Sequence, residues 1–206
     1  TIEGIASSPK PKIIAPAVRA PAFLIAESGR WWDPVVFIGI KAGAGTANVT
    51  VKGFEIDGLN LGTAANTFVA ILARNANPGM LRDCDIKNFH NPGNSANGSG
   101  IMIYGNSNFA ARSNTVSAFS KNGITANGDF GPAVDPIVAI DSNTVTGDGY
   151  ITTVAQNGIQ VGFGAGGTVH ANTISNIGWI WSGSGTQWVS AGILPAVLNT
   201  PGPSVN

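Results

Sequence analysis

Charge is the scarcest property of this chain. Only 11% of its 206 residues are Asp, Glu, Lys or Arg, against about 25% in an ordinary soluble domain. Eleven basic and eleven acidic residues cancel to a formal net charge of zero. Without a basic run there is nothing to hold phosphates, so no nucleic-acid partner is expected. No apolar stretch approaches the roughly 18 to 20 residues of a membrane span, and no membrane insertion is expected. Cysteine is almost absent: Cys84 stands alone, so no internal disulfide forms. Its plainer reading is a small buried apolar residue. A catalytic thiol wants a histidine, and His90, six residues on, is the only pointer. Also missing is any stretch with the 3.6-residue apolar period and length of a helix. Disorder is excluded, because 43% of the residues are hydrophobic. No basic start followed by an apolar run opens the sequence at Thr1, so the signal of an exported protein would have been removed or lie upstream.

What is present is a repeat. Five segments align without gaps: Val51–Ile56, Leu81–Ile86, Ala111–Val116, Ile140–Val145 and Val169–Ile174, with starts 30, 30, 29 and 29 residues apart. Position one is always apolar, and so is position six. Three residues later come Leu59, Phe89, Phe119, Asp148 and Ile177, where Asp148 alone breaks the pattern. Between these rows lies a second set of short alternating runs at Phe68–Ile71, Gly100–Ile103, Asn122–Ile124, Asn157–Val161 and Ala191–Leu194. Such runs read as strands. Each repeat then holds about three short strands separated by Gly- and Asn-rich turns. Strands this short cannot make a stable sheet within one repeat. Stacked in parallel at about 4.8 Å, each meets its counterpart one coil away, and the apolar columns become a continuous interior. Loop lengths between the columns vary while the strands return to register, as a solenoid allows.

Position four reads Phe54, Cys84, Asn114, Asn143, Asn172. Asparagines stacked coil on coil can hydrogen-bond along the axis and to the turn backbone, giving a ladder of three rungs, Asn114, Asn143 and Asn172, with Cys84 below them. With Ser113–Val116, Ser142–Thr146, Gln156–Gly164 and Ala171–Ser175, these residues resemble the right-handed parallel β-helix repeat proteins of the pectin-lyase-like superfamily, most nearly its uncharacterised exported bacterial and archaeal members. The resemblance covers at least residues 47 to 194. It implies an all-β, right-handed parallel β-helix of about six to seven coils, one domain over residues 1–206, in an extracellular or cell-surface location. The start at Thr1 reads as mid-coil and the far end lacks an obvious cap, so the chain is expected to be a processed piece or an assembling unit of a larger structure. Contacts at its ends would come chiefly from Ile2, Ile5, Ile13, Ile14, Ile193, Leu194 and Val197.

The enzymes of that superfamily set a pattern for chemistry. Pectate lyases use clustered Asp for calcium and an Arg or Lys as base; polygalacturonases use Asn-Thr-Asp, Asp-Asp, Gly-His-Gly and Arg-Ile-Lys. None of the four polygalacturonase motifs occurs here. The densest charged stretch runs from Arg82 to His90. Stacking sets Lys52, Arg82, Arg112, Asp141 and His170 in one outward column, and Glu55, Asp85, Thr115, Thr144 and Thr173 in a neighbouring one. Lys52, Arg82 and Arg112, about 5 Å apart, could hold a uronic acid chain, with Asp85 or His90 as base or acid. The candidate catalytic set is thus Arg82, Asp83, Asp85, His90 and Arg112, with Lys87 between them. The plainer reading is a solvated face whose charges pair along the stack. Asp83 and Asp85 fall short of the six to eight oxygens that calcium takes, so no metal or cofactor is expected outside a lyase, which would add calcium.

Tryptophan is the other candidate. Trp31, Trp32, Trp179, Trp181 and Trp188 are expected near turns, where they either stack on sugar faces or fold back over a sheet edge. Trp179, Trp181 and Trp188, on one long loop before Gly192, are the better sugar contacts. Gly162–Gly167 is no nucleotide loop, because no helix follows it. The leading expectation is an exported, non-catalytic structural or surface β-solenoid whose partners are polysaccharide or further copies of itself end to end. The alternative is a polysaccharide lyase or glycoside hydrolase.

Overall fold

The computed structural model describes residues 1–4, 9–18, 23–25, 30–40, 47–63, 66–92, 95–128, 135–181, 183 and 187–196. Coil one holds β1 (Ile2–Glu3), β2 (Lys12–Ile14), β3 (Phe23–Ile25) and β4 (Arg30–Gly39). Five three-strand coils follow: β5 (Ala47–Lys52), β6 (Glu55–Asp57) and β7 (Thr67–Arg74); β8 (Ala76–Arg82), β9 (Asp85–Lys87) and β10 (Gly98–Tyr104); β11 (Asn108–Arg112), β12 (Thr115–Ser117) and β13 (Asn122–Asn127); β14 (Ile137–Asp141), β15 (Thr144–Ile151) and β16 (Asn157–Gly162); and β17 (Gly166–His170), β18 (Thr173–Trp179) and β19 (Ala191–Ala196). One turn of 3-10 helix, Ser95–Asn97, precedes β10.

Strands from successive coils stack into three sheets. Sheet A is β1-β5-β8-β11-β14-β17, sheet B is β2-β6-β9-β12-β15-β18, and sheet C is β3-β4-β7-β10-β13-β16-β19. All pairings are parallel except β3 with β4. The result is a right-handed parallel β-helix of six coils.

The aligned columns stack in register. Ile2, Val51, Leu81, Ala111, Ile140 and Val169 follow one another through sheet A. Ile13, Ile56, Ile86, Val116, Val145 and Ile174 do so through sheet B. The middle members of both columns are buried, because side chains alternate across a strand and these face inward. The expected charged columns form as well, with Glu3 ahead of Lys52 and Lys12 ahead of Glu55.

Between sheets A and B the chain turns through one left-handed residue: Gly53, Asp83, Ser113, Ser142 or Ala171. The next residue points its side chain into the turn. Cys84 is buried there, and its thiol donates to Arg82 O at 3.3 Å. Asn114, Asn143 and Asn172 follow in coils four to six and form the ladder.

Three expectations need correction. Leu59 is not in the core: it is 48% exposed. Leu59 and Asn60 are both left-handed where coil three has the single left-handed residue Asn88. Asn60 N–H bonds Asn88 O, as Phe89 N–H bonds Ala118 O, so Asn60 takes the place of Phe89. The extra residue swings Leu59 outward and gives Leu61 the packing contact. Second, Trp32 is not at a turn. It lies within β4 and is only 1% exposed. Third, the first coil has a partial cap: β3 folds back antiparallel along the edge of β4 and covers sheet C there. Ile5 and Val197 lie outside the described residues.

Candidate functional site

Sheets A and B bury one face each, but the middle of sheet C is covered on both. Every residue of β7 and β10 is buried. Inward, Phe68, Ile71, Ile101, Ile103 and Ile124 join the solenoid core. Outward, Trp32, Val69, Leu72, Met102 and Tyr104 make a second apolar cluster. Trp32 meets Tyr104 edge to face, with ring centroids 5.2 Å apart, a favoured aromatic geometry.

Along the axis this outer face changes character. One outward column runs Phe37, Leu72, Met102, Thr125, Gln160, Leu194. Its neighbour runs Pro34, Val69, Ser99, Asn122, Asn157, Ala191. Apolar rows thus give way to amides and hydroxyls in coils three to five. Here the surface opens into a cavity of about 610 Å³, whose lining includes Trp32, Tyr104, Lys121, Asn157, Gln160 and Trp188.

The cavity floor is a chain of amides. Asn157 Nδ2 donates to Asn122 Oδ1 at 3.1 Å and lies 3.4 Å from Gln160 Oε1. Gln160 Nε2 donates to Asn127 Oδ1 at 2.9 Å, and Asn127 Nδ2 donates to the Tyr104 hydroxyl at 3.3 Å. Among the described residues, Asn157 Oδ1, itself buried, has no hydrogen-bond partner, and neither has Thr125 Oγ1. A buried acceptor without a donor is costly, and this one belongs to a cavity-lining residue. Lys121 also lines the cavity. Its Nζ donates to Ala155 O at 2.6 Å, and no carboxylate pairs with it among the described residues. Burial holds its amine below the usual lysine range. On the rim, Trp188 is 64% exposed and Val189 72%.

The charged candidates lie elsewhere. Arg82 and Arg112 face outward from sheet A, Asp83 occupies the left-handed turn position, and Asp85 and Lys87 face outward from sheet B. They pair locally. Arg82 meets Asp83 at 2.6 Å, and Asp85 meets Lys10 at 2.8 Å. Lys87 and Lys12 both meet Glu55 at 2.9 Å from the coils on either side. Those two contacts, Lys87 first, hold the Glu55 carboxyl below its ordinary range and raise the Lys87 amine. None of the sequence-derived charged candidates lines the cavity.

His90 makes a separate cluster. Its Nε2 lies 2.8 Å from Asp148 Oδ2 and its Nδ1 3.0 Å from Asn60 Oδ1. Gln156 Nε2 donates to the same Asp148 oxygen at 2.9 Å, while Gln156 Oε1 accepts from Asp148 N–H at 2.9 Å. The imidazole donates to both acceptors only when both ring nitrogens carry protons. Sequence reasoning found His90 and missed Asp148, although Asp148 is the one residue that breaks an otherwise apolar column. No group of three or more His, Cys, Asp or Glu among the described residues could hold a metal ion.

Of the three tryptophans expected to touch sugar, Trp188 reaches the cavity. Trp181 is 42% exposed in the same connection, and Trp179 ends strand β18 rather than lying in the loop. Lys121, Asn122, Asn157 and Gln160 were missed. No helix is long and apolar enough to cross a membrane among the described residues. In the comparisons, no family model, no curated protein and no solved structure matches the chain.

Proposed function

We propose that this chain is a non-catalytic, exported β-solenoid of the pectin-lyase-like kind that holds polysaccharide against the outer face of sheet C. The observation that supports it most is the amide floor of a cavity that Trp188 also lines, with Asn157 Oδ1 partnerless among the described residues. A sugar ring offers an apolar face for the exposed Trp188 and hydroxyl groups for the amides, which is the mixture such a lining fits. The separation of Arg82, Asp83, Asp85, His90 and Arg112 from the cavity favours binding over catalysis.

Lys121 supports a second reading. A half-buried amine with no carboxylate partner among the described residues is the type of group that could act as a base, as the lyase resemblance implies. A screen of neutral and uronate glycans, read for both binding and cleavage, separates the two. Binding without cleavage, lost in Trp188→Ala and weakened in Asn157→Ala, is the expected result. Cleavage abolished by Lys121→Met would establish the lyase reading instead, and no binding to any glycan would remove both.

A further inference from the structure

Five lysines lie among the described residues, and four of them meet carboxylates. Lys10 meets Asp85 at 2.8 Å, Lys12 and Lys87 meet Glu55 at 2.9 Å, and Lys52 meets Glu3 at 2.7 Å. Lys121 is the exception, with no carboxylate partner among the described residues. The cavity it lines has no Asp, Glu, Arg or His among its described lining residues. After Asp148 the sequence contains no Asp, Glu, Lys or Arg at all, so the connection that carries Trp188 brings no charge to it. The Lys121 backbone is fixed on both sides: its N–H donates to Gly98 O at 2.6 Å, and its carbonyl accepts from Asn157 N–H at 2.9 Å. Its Nζ is anchored as well, by the bond to Ala155 O. Asn122, the next residue, and Asn157, its register partner one coil on, line the same cavity.

A lysine is a nucleophile only as the neutral amine, which has a lone pair to give. A carboxylate in contact favours the ammonium form instead, as Glu55 does for Lys87. Lys121 has the opposite surroundings: it is half-buried in a cavity wall without a counter-charge, and burial favours its neutral form. The bond to Ala155 O uses one N–H of that amine and leaves its lone pair. We propose that Lys121 is a covalent capture site for small hydroxylated aldehydes, which it holds as an imine in the sheet C cavity. Nζ adds to the carbonyl carbon, and a C–N bond forms as the C=O π bond opens. The nitrogen gives up both of its protons, and the carbonyl oxygen takes them and leaves as water. Nothing is oxidised or reduced. The aldehyde's hydroxyl supplies the donor that Asn157 Oδ1 lacks among the described residues. The inference needs the cavity and the amine but not polysaccharide, so it stands apart from the glycan reading.

The test treats the full native chain at neutral pH with glycolaldehyde and cyanoborohydride, which reduces an imine to a stable amine. Peptide mass spectrometry then maps the adducts. Lys121 should be labelled about tenfold faster or more than Lys10, Lys12, Lys52 and Lys87. Unfolding in urea should erase that preference, because the folded surroundings create it. Propionaldehyde, of the same length but without the hydroxyl, should show a preference for Lys121 over the paired lysines that is about threefold smaller or less, as the loss of one hydrogen bond implies. Labelling of Lys121 no faster than the paired lysines would overturn the inference, and so would a preference that survives unfolding. Equal preference with the two aldehydes would overturn the hydroxylated class.

Discussion

Asn143 Oδ1 accepts two hydrogen bonds from Asn114, one from its backbone N–H and one from its side-chain Nδ2, both at 3.0 Å. Asn143 in turn donates from Nδ2 to Ala111 O and to Asn172 Oδ1, each at 2.9 Å. One side chain therefore joins three coils and leaves none of its own polar atoms open. Asn143→Ala should destabilise the fold by about 1 to 3 kcal/mol, because it takes the side-chain acceptor from the buried Asn114 N–H and Nδ2 and the side-chain donor from Ala111 O. Denaturant midpoints of the variant and the parent measure it; an unchanged midpoint would mean the ladder contributes nothing.

Gly123 sits on an inward column of sheet C beside Gly100 and Gly158. A methyl group there would strike Val145 Cγ1 and, at 2.7 Å, Gly158 O. The contact atom across the strand is backbone, which cannot rotate away. Gly123→Ala should cost about 1 to 3 kcal/mol by overpacking, despite the usual preference for Ala over Gly in strands. A thermal melt that rises on substitution would show that sheets B and C can part without penalty.

The columns were legible in the sequence because the 29- to 30-residue period lays each residue on its own kind. One inserted residue was enough to hide Leu59, since a pattern has no means of seeing two left-handed residues where the next coil has one. The cavity was illegible for a different reason. Trp32, Lys121, Asn157 and Trp188 come from four coils and two connections, and their outward column mixes apolar with polar residues, so no alternation marks it. His90 was visible as a lone histidine, but Asp148 lies two coils away and only its misfit in an apolar column announced it.

Cys84 should be inert in the native protein. It is fully buried, and burial pushes its thiol above the ordinary range, so the reactive thiolate is scarce. Labelling by a thiol reagent should follow the rate of global opening and accelerate sharply in denaturant. Fast labelling without denaturant would place the Cys84 turn outside the cooperative unit.

Glu55 should shape the acid limb of stability. Its carboxyl is held below the usual range by Lys87 and then Lys12. A group with a lowered folded pKa contributes fully above its unfolded value, about 4.3 for Glu, and loses that contribution as pH falls through the folded value. Glu55→Gln should therefore be less stable than the parent near neutrality, and the gap should close on acidification. A gap independent of pH would trace to packing rather than to the ion pairs.

Lys121 should act at the opposite limb. Burial lowers its folded pKa, so the unfolded chain binds more protons in the window below the ordinary value of about 10.4. Stability then rises with pH through that window, and the full penalty is present beneath it. Lys121→Met should be more stable than the parent at neutral pH, with the advantage shrinking on alkalinisation. A constant difference between the two curves would show that the amine is not held at a cost.

The abrupt end of charge at Asp148 divides the solenoid electrically. Added salt screens the first five coils, where Glu3, Lys12, Glu55, Asp85 and Lys87 interact, but finds almost nothing to screen in the sixth. The ion pairs along sheets A and B should weaken with ionic strength, while any contact made by the sixth coil keeps its strength or gains from salting-out. Ionic strength is thus a lever on one end of this molecule and not on the other.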